Sequence, residues 1–233
     1  VIKPYWRGKS LEDVLRKAYG TKIDEISKVV KINQKDHSQG HICPNCEKWL
    51  KEGPAGLKKD AEEKLTSASE NQKDFYKSVI LVMDGAQKFI LRYYELLCCM
   101  ADKEIDNNKR HIMLIAAENC KNIALKPAKN FYEAVQSVWF LFVILHMESN
   151  ASSFSPGRMD MFLYPYYKHD IEEKVLTKQK ALEIIECLWL KFNEIVYMRN
   201  SNSAKYFAGF PIGFNVAIGG QDSNGKDFCN ELT

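Results

Sequence analysis

No run of apolar residues in this 233-residue sequence approaches the ~20 needed to cross a bilayer, the longest being the eight from Val138 to Leu145. A transmembrane segment is therefore not expected. Neither sign of charge dominates, since 33 Lys and Arg stand against 30 Asp and Glu for a formal net charge of +3. The signs are interleaved instead of gathered in basic blocks, so charge lends nothing to nucleic-acid binding. A Gly-rich phosphate loop, a dinucleotide fingerprint, His-Glu-x-x-His and Gly-x-Ser-x-Gly are all missing, and with them the common nucleotide-dependent and hydrolase classes lose support. There is no initiator Met, nor the basic, apolar and small-residue order of a signal peptide at Val1-Ile-Lys-Pro-Tyr-Trp6. The other end, Asp227-Phe-Cys-Asn-Glu-Leu-Thr233, reads as the first turn of a new helix. The expectation is an internal fragment of a longer chain. Repeats, low-complexity tracts and flexible linkers are lacking too, so residues 1–233 are expected to belong to one incomplete domain.

What is present is the composition of a globular protein: 45% apolar, 12% aromatic and 27% charged residues. The seven cysteines (Cys43, Cys46, Cys98, Cys99, Cys120, Cys187 and Cys229) are odd in number. Several sit in apolar helical stretches, where free Cys behaves as a small hydrophobe, which points to a reduced, cytoplasmic setting.

Helical signals dominate, with few strands. Ser10 is placed to cap a first helix, with Asp13 in a variant capping box. Between Val30 and Gly53 the pattern breaks into a loop carrying His41, Cys43, Pro44 and Cys46, and loops of this kind often carry function. Helical periodicity resumes from Pro54 to about Asp106, expected as two helices, with Leu81, Phe89, Tyr93, Leu96 and Leu97 on one broad face. A helix from about His111 to Ala124 follows. Asn130 can cap the next, with Glu133 at N3, and that helix, Phe131 to about Met147, is apolar on nearly every side and is expected to be buried all round. Thr177 can cap a further helix reaching Met198, and Phe210 to Gly220 reads as a short buried strand closed by a Gly turn.

Cys43-Pro-Asn-Cys46, with His41 beside it, has the spacing of a half zinc site or a redox pair, but no second ligand pair follows at recognisable spacing. Gly209, Gly213, Gly219 and Gly220 fit turn and bulge positions and not a dinucleotide loop. The segment Glu148-Ser-Asn-Ala-Ser-Ser-Phe-Ser-Pro-Gly-Arg158 has no helical period, and follows directly on the most buried helix. Its small residues and hydroxyls suit a substrate wall, with Pro156-Gly157 fixing a turn. Equally, it can be a capping turn whose Arg158 pairs with Asp160 or Glu148.

Five segments occur in order: Tyr5 to Asp13, Gly40-His-Ile-Cys-Pro-Asn-Cys-Glu-Lys48, Glu148 to Asp160, Tyr164-Pro-Tyr-Tyr167 and Gly213-Phe-Asn-Val-Ala-Ile-Gly-Gly220. Together they resemble the pyruvate formate-lyase-like domain of glycyl radical enzymes over the whole chain. The resemblance implies an α/β fold, helix-rich, forming part of a ten-stranded α/β barrel built from two antiparallel halves of five parallel strands. It also implies a glycyl radical installed in the parent protein by a radical-S-adenosylmethionine activating enzyme, a homodimeric parent, and dehydratase, lyase or formate acetyltransferase chemistry on a small polar metabolite. The family's catalytic Cys, often in Cys-x-Glu, and its radical Gly, in an Arg-Val-x-Gly-Tyr type of sequence, match no position here. No catalytic, metal or cofactor-binding residue is therefore assigned.

What the resemblance carries over is a substrate wall. His41 matches the His that reaches a substrate hydroxyl in glycerol-dehydratase-like members. Ser152 and Ser153 occupy the place of their His-Ser pair, the first of the two being changed. Asn45 falls where choline-lyase-like members carry an Asp, and a neutral amide is the poorer partner for a cationic substrate. Cys46 replaces a frequent Tyr. A truncated paralogue acting as a non-catalytic scaffold or interaction protein is the alternative.

Overall fold

A computed structural model describes residues 11–29, 41–149, 153–195 and 215–233. Helix α1 (Leu11–Tyr19) begins where Ser10 was expected to cap it, though Ser10 lies outside the described residues. It ends at Gly20, whose φ of +59° lets its N–H turn back onto the Arg16 carbonyl at 2.8 Å. A bidentate ion pair from Arg16 to Asp24, 2.9 and 3.2 Å, joins α1 to α2 (Lys22–Val29).

Helix α3 (Cys46–Thr66) starts inside the expected loop, because Asn45 caps it: its Oδ1 accepts from the Lys48 N–H at 2.9 Å. The predicted start at Pro54 survives as a break within α3. Gly53 is non-helical (φ 63°, ψ 174°), and a Cβ there would stand 2.9 Å from the Lys126 carbonyl oxygen, so only Gly fits this approach. Helix α4 (Glu70–Lys103) is capped by Ser69 with Gln72 reaching back. Helix α5 (Asn107–Leu125) starts earlier than expected, since Asp106 accepts from the N–H groups of Asn108 and Lys109.

Helix α6 (Phe131–Ser149) is the centre of the molecule. Asn130 caps it as predicted, accepting from the Glu133 N–H at 2.8 Å. The buried Glu133 carboxylate in turn accepts from Lys129 N–H and Asn122 Nδ2. From Phe131 to His146 no residue of α6 is exposed, though several, Tyr132, Trp139 and Leu145 among them, are half-buried and Met147 is exposed, so the helix is covered on all sides without being buried throughout as expected. It packs against α3, α5, α8 (Tyr164–Glu172) and α9 (Lys178–Phe192). The core joins Trp49 and Leu50 of α3 to Phe131, Val138 and Phe142 of α6 and Phe192 of α9. Trp49 Nε1 donates to the Ser137 hydroxyl at 2.8 Å, so the indole is buried without an orphan donor.

Between α6 and α8 lie the two-residue strand β1 (Gly157–Arg158) and the short helix α7 (Met159–Phe162). β1 pairs in parallel with β2 (Val216–Ala217), Gly157 opposite Val216. Helix α9 is capped by Thr177 as expected but ends at Phe192, where the Asn193 side chain donates to the Trp189 carbonyl and diverts the backbone. The expected reach to Met198 runs outside the described residues, as do residues 210–214 of the expected strand. Its remaining part is half-buried at Val216 and exposed at Ala217, so it is not the buried strand expected. Among the described residues β1 and β2 form the sole sheet, and a ten-stranded barrel is not visible. No described helix is long and apolar enough to cross a membrane.

Candidate functional site

The loop leading into α3, the loop leaving α6 and the residues after β2 converge at one end of α6. The Ser155 N–H donates to the Ile42 carbonyl at 2.8 Å, and the Cys46 thiol lies 3.7 Å from the Pro156 carbonyl. Asn215 N–H donates to the Ser155 hydroxyl at 3.0 Å. His41 and Ser153 flank the first of these bonds, and both adopt the left-handed backbone, φ 63° and 64°. Non-glycine residues there cost of order 1 to 3 kcal/mol unless the surroundings hold them, a kind of strain that clusters at functional sites.

Phe154 anchors this loop. It is buried, and its ring meets the edge of His146 at 4.8 Å, while His146 lies 4.5 Å from Phe142 one turn back along α6. His146 Nδ1 is 2.7 Å from the Phe142 carbonyl, which can only accept, so the proton sits on Nδ1 and the buried Nε2 is a lone pair with no partner among the described residues. Burial pulls the imidazole pKa below its ordinary value, with the Phe142 hydrogen bond opposing.

Asp160 ties the far side together. Its side chain is fully buried; Oδ2 accepts from the Gly219 N–H at 2.5 Å and from the Thr233 hydroxyl at 3.0 Å. Asn230 Nδ2 donates to its backbone carbonyl. Arg158 Nε stands 3.6 Å from Asp160 Oδ1, and Arg158 Nη1 donates to the Gln221 carbonyl. The pairing of Arg158 with Asp160, one of the readings open from sequence, is the observed one. Tyr167 and Lys178 both donate to Glu231 at 2.7 Å, and burial, then this carboxylate, push the Tyr167 phenol up to about 12.

A cavity of about 500 Å³ opens beside these segments, lined among others by Cys43, Asn45, Cys46, Arg158, Tyr166 and Phe228. Of the residues singled out from sequence, His41 and Ser153 lie on the two loops that the Ser155–Ile42 bond joins, yet neither lines this cavity. Asn45 lines it, with its carbonyl oxygen committed to the cap of α3. Ser152 lies outside the described residues. The anchoring roles of Phe154, His146 and Asn230 were not read from sequence. Asn230 depends on Asp160, 70 residues away, and Phe154 meets His146 only because the chain turns back after α6, so no local period announces either. Among the described residues, no three His, Cys, Asp or Glu side chains gather as a metal site would require.

A family model described as pyruvate formate lyase-like matches residues 1–233. The chain is 33% identical over 248 residues to the probable dehydratase YbiW of Escherichia coli (strain K12), covering all of this chain and 30% of that protein. In structure it is similar to the glycerol-bound B12-independent glycerol dehydratase of Clostridium butyricum, with a TM-score of 0.86 and 32% identity over 98% of this chain and 30% of that one. A glycyl radical enzyme from Archaeoglobus fulgidus matches with a TM-score of 0.83 and 29% identity, covering 99% of this chain and 31% of that chain. The chain thus spans about a third of the length of the proteins it matches.

Proposed function

The chain belongs to the pyruvate formate lyase-like family, and on that premise we propose that it is part of one incomplete domain of a glycyl radical dehydratase or lyase acting on a small polar substrate. In this reading the described helices pack around part of a ten-stranded barrel, and the loops at 41–46 and 153–158 form one wall of its interior. The radical, installed in the parent by a radical-S-adenosylmethionine activating enzyme, would supply hydrogen abstraction. The residues of this chain bind and orient. His41 and Ser153 offer an imidazole and a hydroxyl to a substrate hydroxyl, Asn45 and Ser152 add neutral polar groups, and the packed aromatic face of α6 behind them keeps water out. A homodimeric parent in the cytoplasm completes the proposal.

The observation that carries it is the bond from Ser155 to Ile42, which ties the loop of His41 to the loop of Ser153 across more than a hundred residues of sequence, both residues lying in strained backbone conformations. The test belongs to the full-length parent. His41→Ala and Ser153→Ala are each expected to lower kcat/KM by the loss of a buried hydrogen bond, about 0.5 to 3 kcal/mol, at unchanged radical content. If the two side chains only support the loop, melting temperature falls while activity per radical stays constant, and that outcome removes them from the site.

A further inference from the structure

The thiols of Cys43-Pro-Asn-Cys46 have no part in the reading above, yet both face the same cavity. The chain reverses between them: Cys46 N–H donates to the Pro44 carbonyl at 2.8 Å across Asn45 (φ −74°, ψ 79°), the geometry of an inverse γ-turn. Each sulfur then packs on one of two adjacent residues of the opposite loop, Cys46 on Pro156 and Cys43 on Gly157. Cys46 Sγ lies 3.7 Å from the Pro156 carbonyl, and Cys43 Sγ would stand 2.6 Å from a Cβ at Gly157, whose positive φ and missing side chain make room for it. Cys43 is exposed, Cys46 is buried, and both line the 500 Å³ cavity, through which a small reagent can reach Cys43. The Cys46 thiol is pushed up to about 12, by burial first and by neighbouring Cys43 second, so the two thiols sense each other. Among the described residues no third His, Cys, Asp or Glu completes a metal site around them.

We propose that Cys43 and Cys46 form a dithiol redox site that closes to an intrachain disulfide with a low-molecular-weight disulfide such as glutathione disulfide, Cys43 attacking and Cys46 resolving. Cys43 loses its proton and attacks one sulfur of glutathione disulfide. The S–S bond breaks and one glutathione leaves as a thiolate that takes up a proton. Cys46 then gives up its proton, attacks the Cys43 sulfur of the mixed disulfide, and expels the second glutathione. Two electrons pass from the chain to the reagent, leaving one protein disulfide and two glutathiones. The second step is the slow one, because burial disfavours the Cys46 thiolate, so the mixed disulfide on Cys43 builds up before it resolves. Closure draws Cys43 Sγ away from Gly157, and Ile42, whose carbonyl holds the Ser155 N–H, is in the segment that must follow. This couples the redox state of the pair to the proposed substrate wall.

The chain is purified under reducing, anaerobic conditions, equilibrated with graded ratios of oxidised to reduced glutathione, quenched with alkylating reagent and mapped by non-reducing peptide mass spectrometry, in buffer and in denaturant. In buffer a Cys43–Cys46 disulfide is expected, formed through a glutathione adduct on Cys43. It should need a ratio at least about tenfold lower than in denaturant, because the turn at Asn45 orders the short segment that carries both thiols. Cys46→Ser should stop at the Cys43 adduct, and Cys43→Ser should leave Cys46 unmodified. The same midpoint in both conditions would mean that spacing alone makes the disulfide, and a stable Cys43 adduct in the unaltered chain would mean that Cys46 does not resolve it. Either result overturns the proposal, and neither depends on the activity of the parent.

Discussion

His146 is a polar residue in the last turn of an apolar helix, and its cost is visible in one atom, the buried Nε2 without a hydrogen-bond partner among the described residues. A charge there would have to be carried between Phe142 and Phe154, so the folded state holds the ring neutral and its pKa below the ordinary 6.5. The unfolded chain binds the proton more readily, so this contribution to stability is fully present above pH 6.5 and is lost as pH falls through the lowered folded value. His169 has the opposite sign. Its hydrogen bond to Asp170 raises its pKa, so its contribution is present below 6.5 and lost as pH rises through the raised value. Denaturant unfolding between about pH 7.5 and about pH 5.5 should therefore show an acid-side loss that His146→Phe removes and His169→Asn does not. An unchanged acid-side slope in His146→Phe would place the titration elsewhere. Because Phe154 follows Ser153 directly and rests on this ring, the same acidification should loosen the candidate wall first.

Helix boundaries in this chain are decided by short side chains that accept from the first free N–H groups. Asn130, Thr177 and Asp106 each do so, and Asn45 does so at α3 while also lining the cavity. The two roles of Asn45 separate by substitution. Asn45→Ala should cost about 1 kcal/mol of stability through the lost cap, whereas Asn45→Asp, which caps equally well, should melt within a degree or two of the unaltered chain. Thermal unfolding of both variants checks this, and an equal loss in both would show that the cap does not govern the start of α3. The 3.6-residue period located α6 and its burial because an all-round apolar helix has no ambiguity of face. It located α9 less well, since nothing in periodicity reveals that Asn193 turns its side chain onto the Trp189 carbonyl.

At the scale of the molecule the burial is one-sided. Helices α4 and α5 pack on each other and on α3, yet Phe75, Leu81, Leu96 and Ile112 remain 53 to 73% exposed along their outer surfaces. Apolar surface of that extent favours association. Expressed by itself the chain should self-associate or bind hydrophobic dye, and paired Leu96→Glu and Ile112→Glu substitutions should reduce both in light scattering and dye fluorescence. A monodisperse chain without dye binding would show that the outer face is tolerated by water.

The sequence by itself determined the helices with unmistakable caps or periods, the absence of a spanning segment, and, through five ordered motifs, membership of the family that the matching domain then established. These features act within a few residues, or are preserved as strings, and so can be read without coordinates. What only the tertiary structure decided is how the motifs meet: Cys46 against Pro156, 110 positions away, Gly219 and Thr233 on the Asp160 carboxylate, and the break at Gly53 against Lys126. Such contacts are set by the packing of α6 against its neighbours and by the need to satisfy each buried polar group. Neither constraint leaves a mark on the local spacing of the residues that obey it.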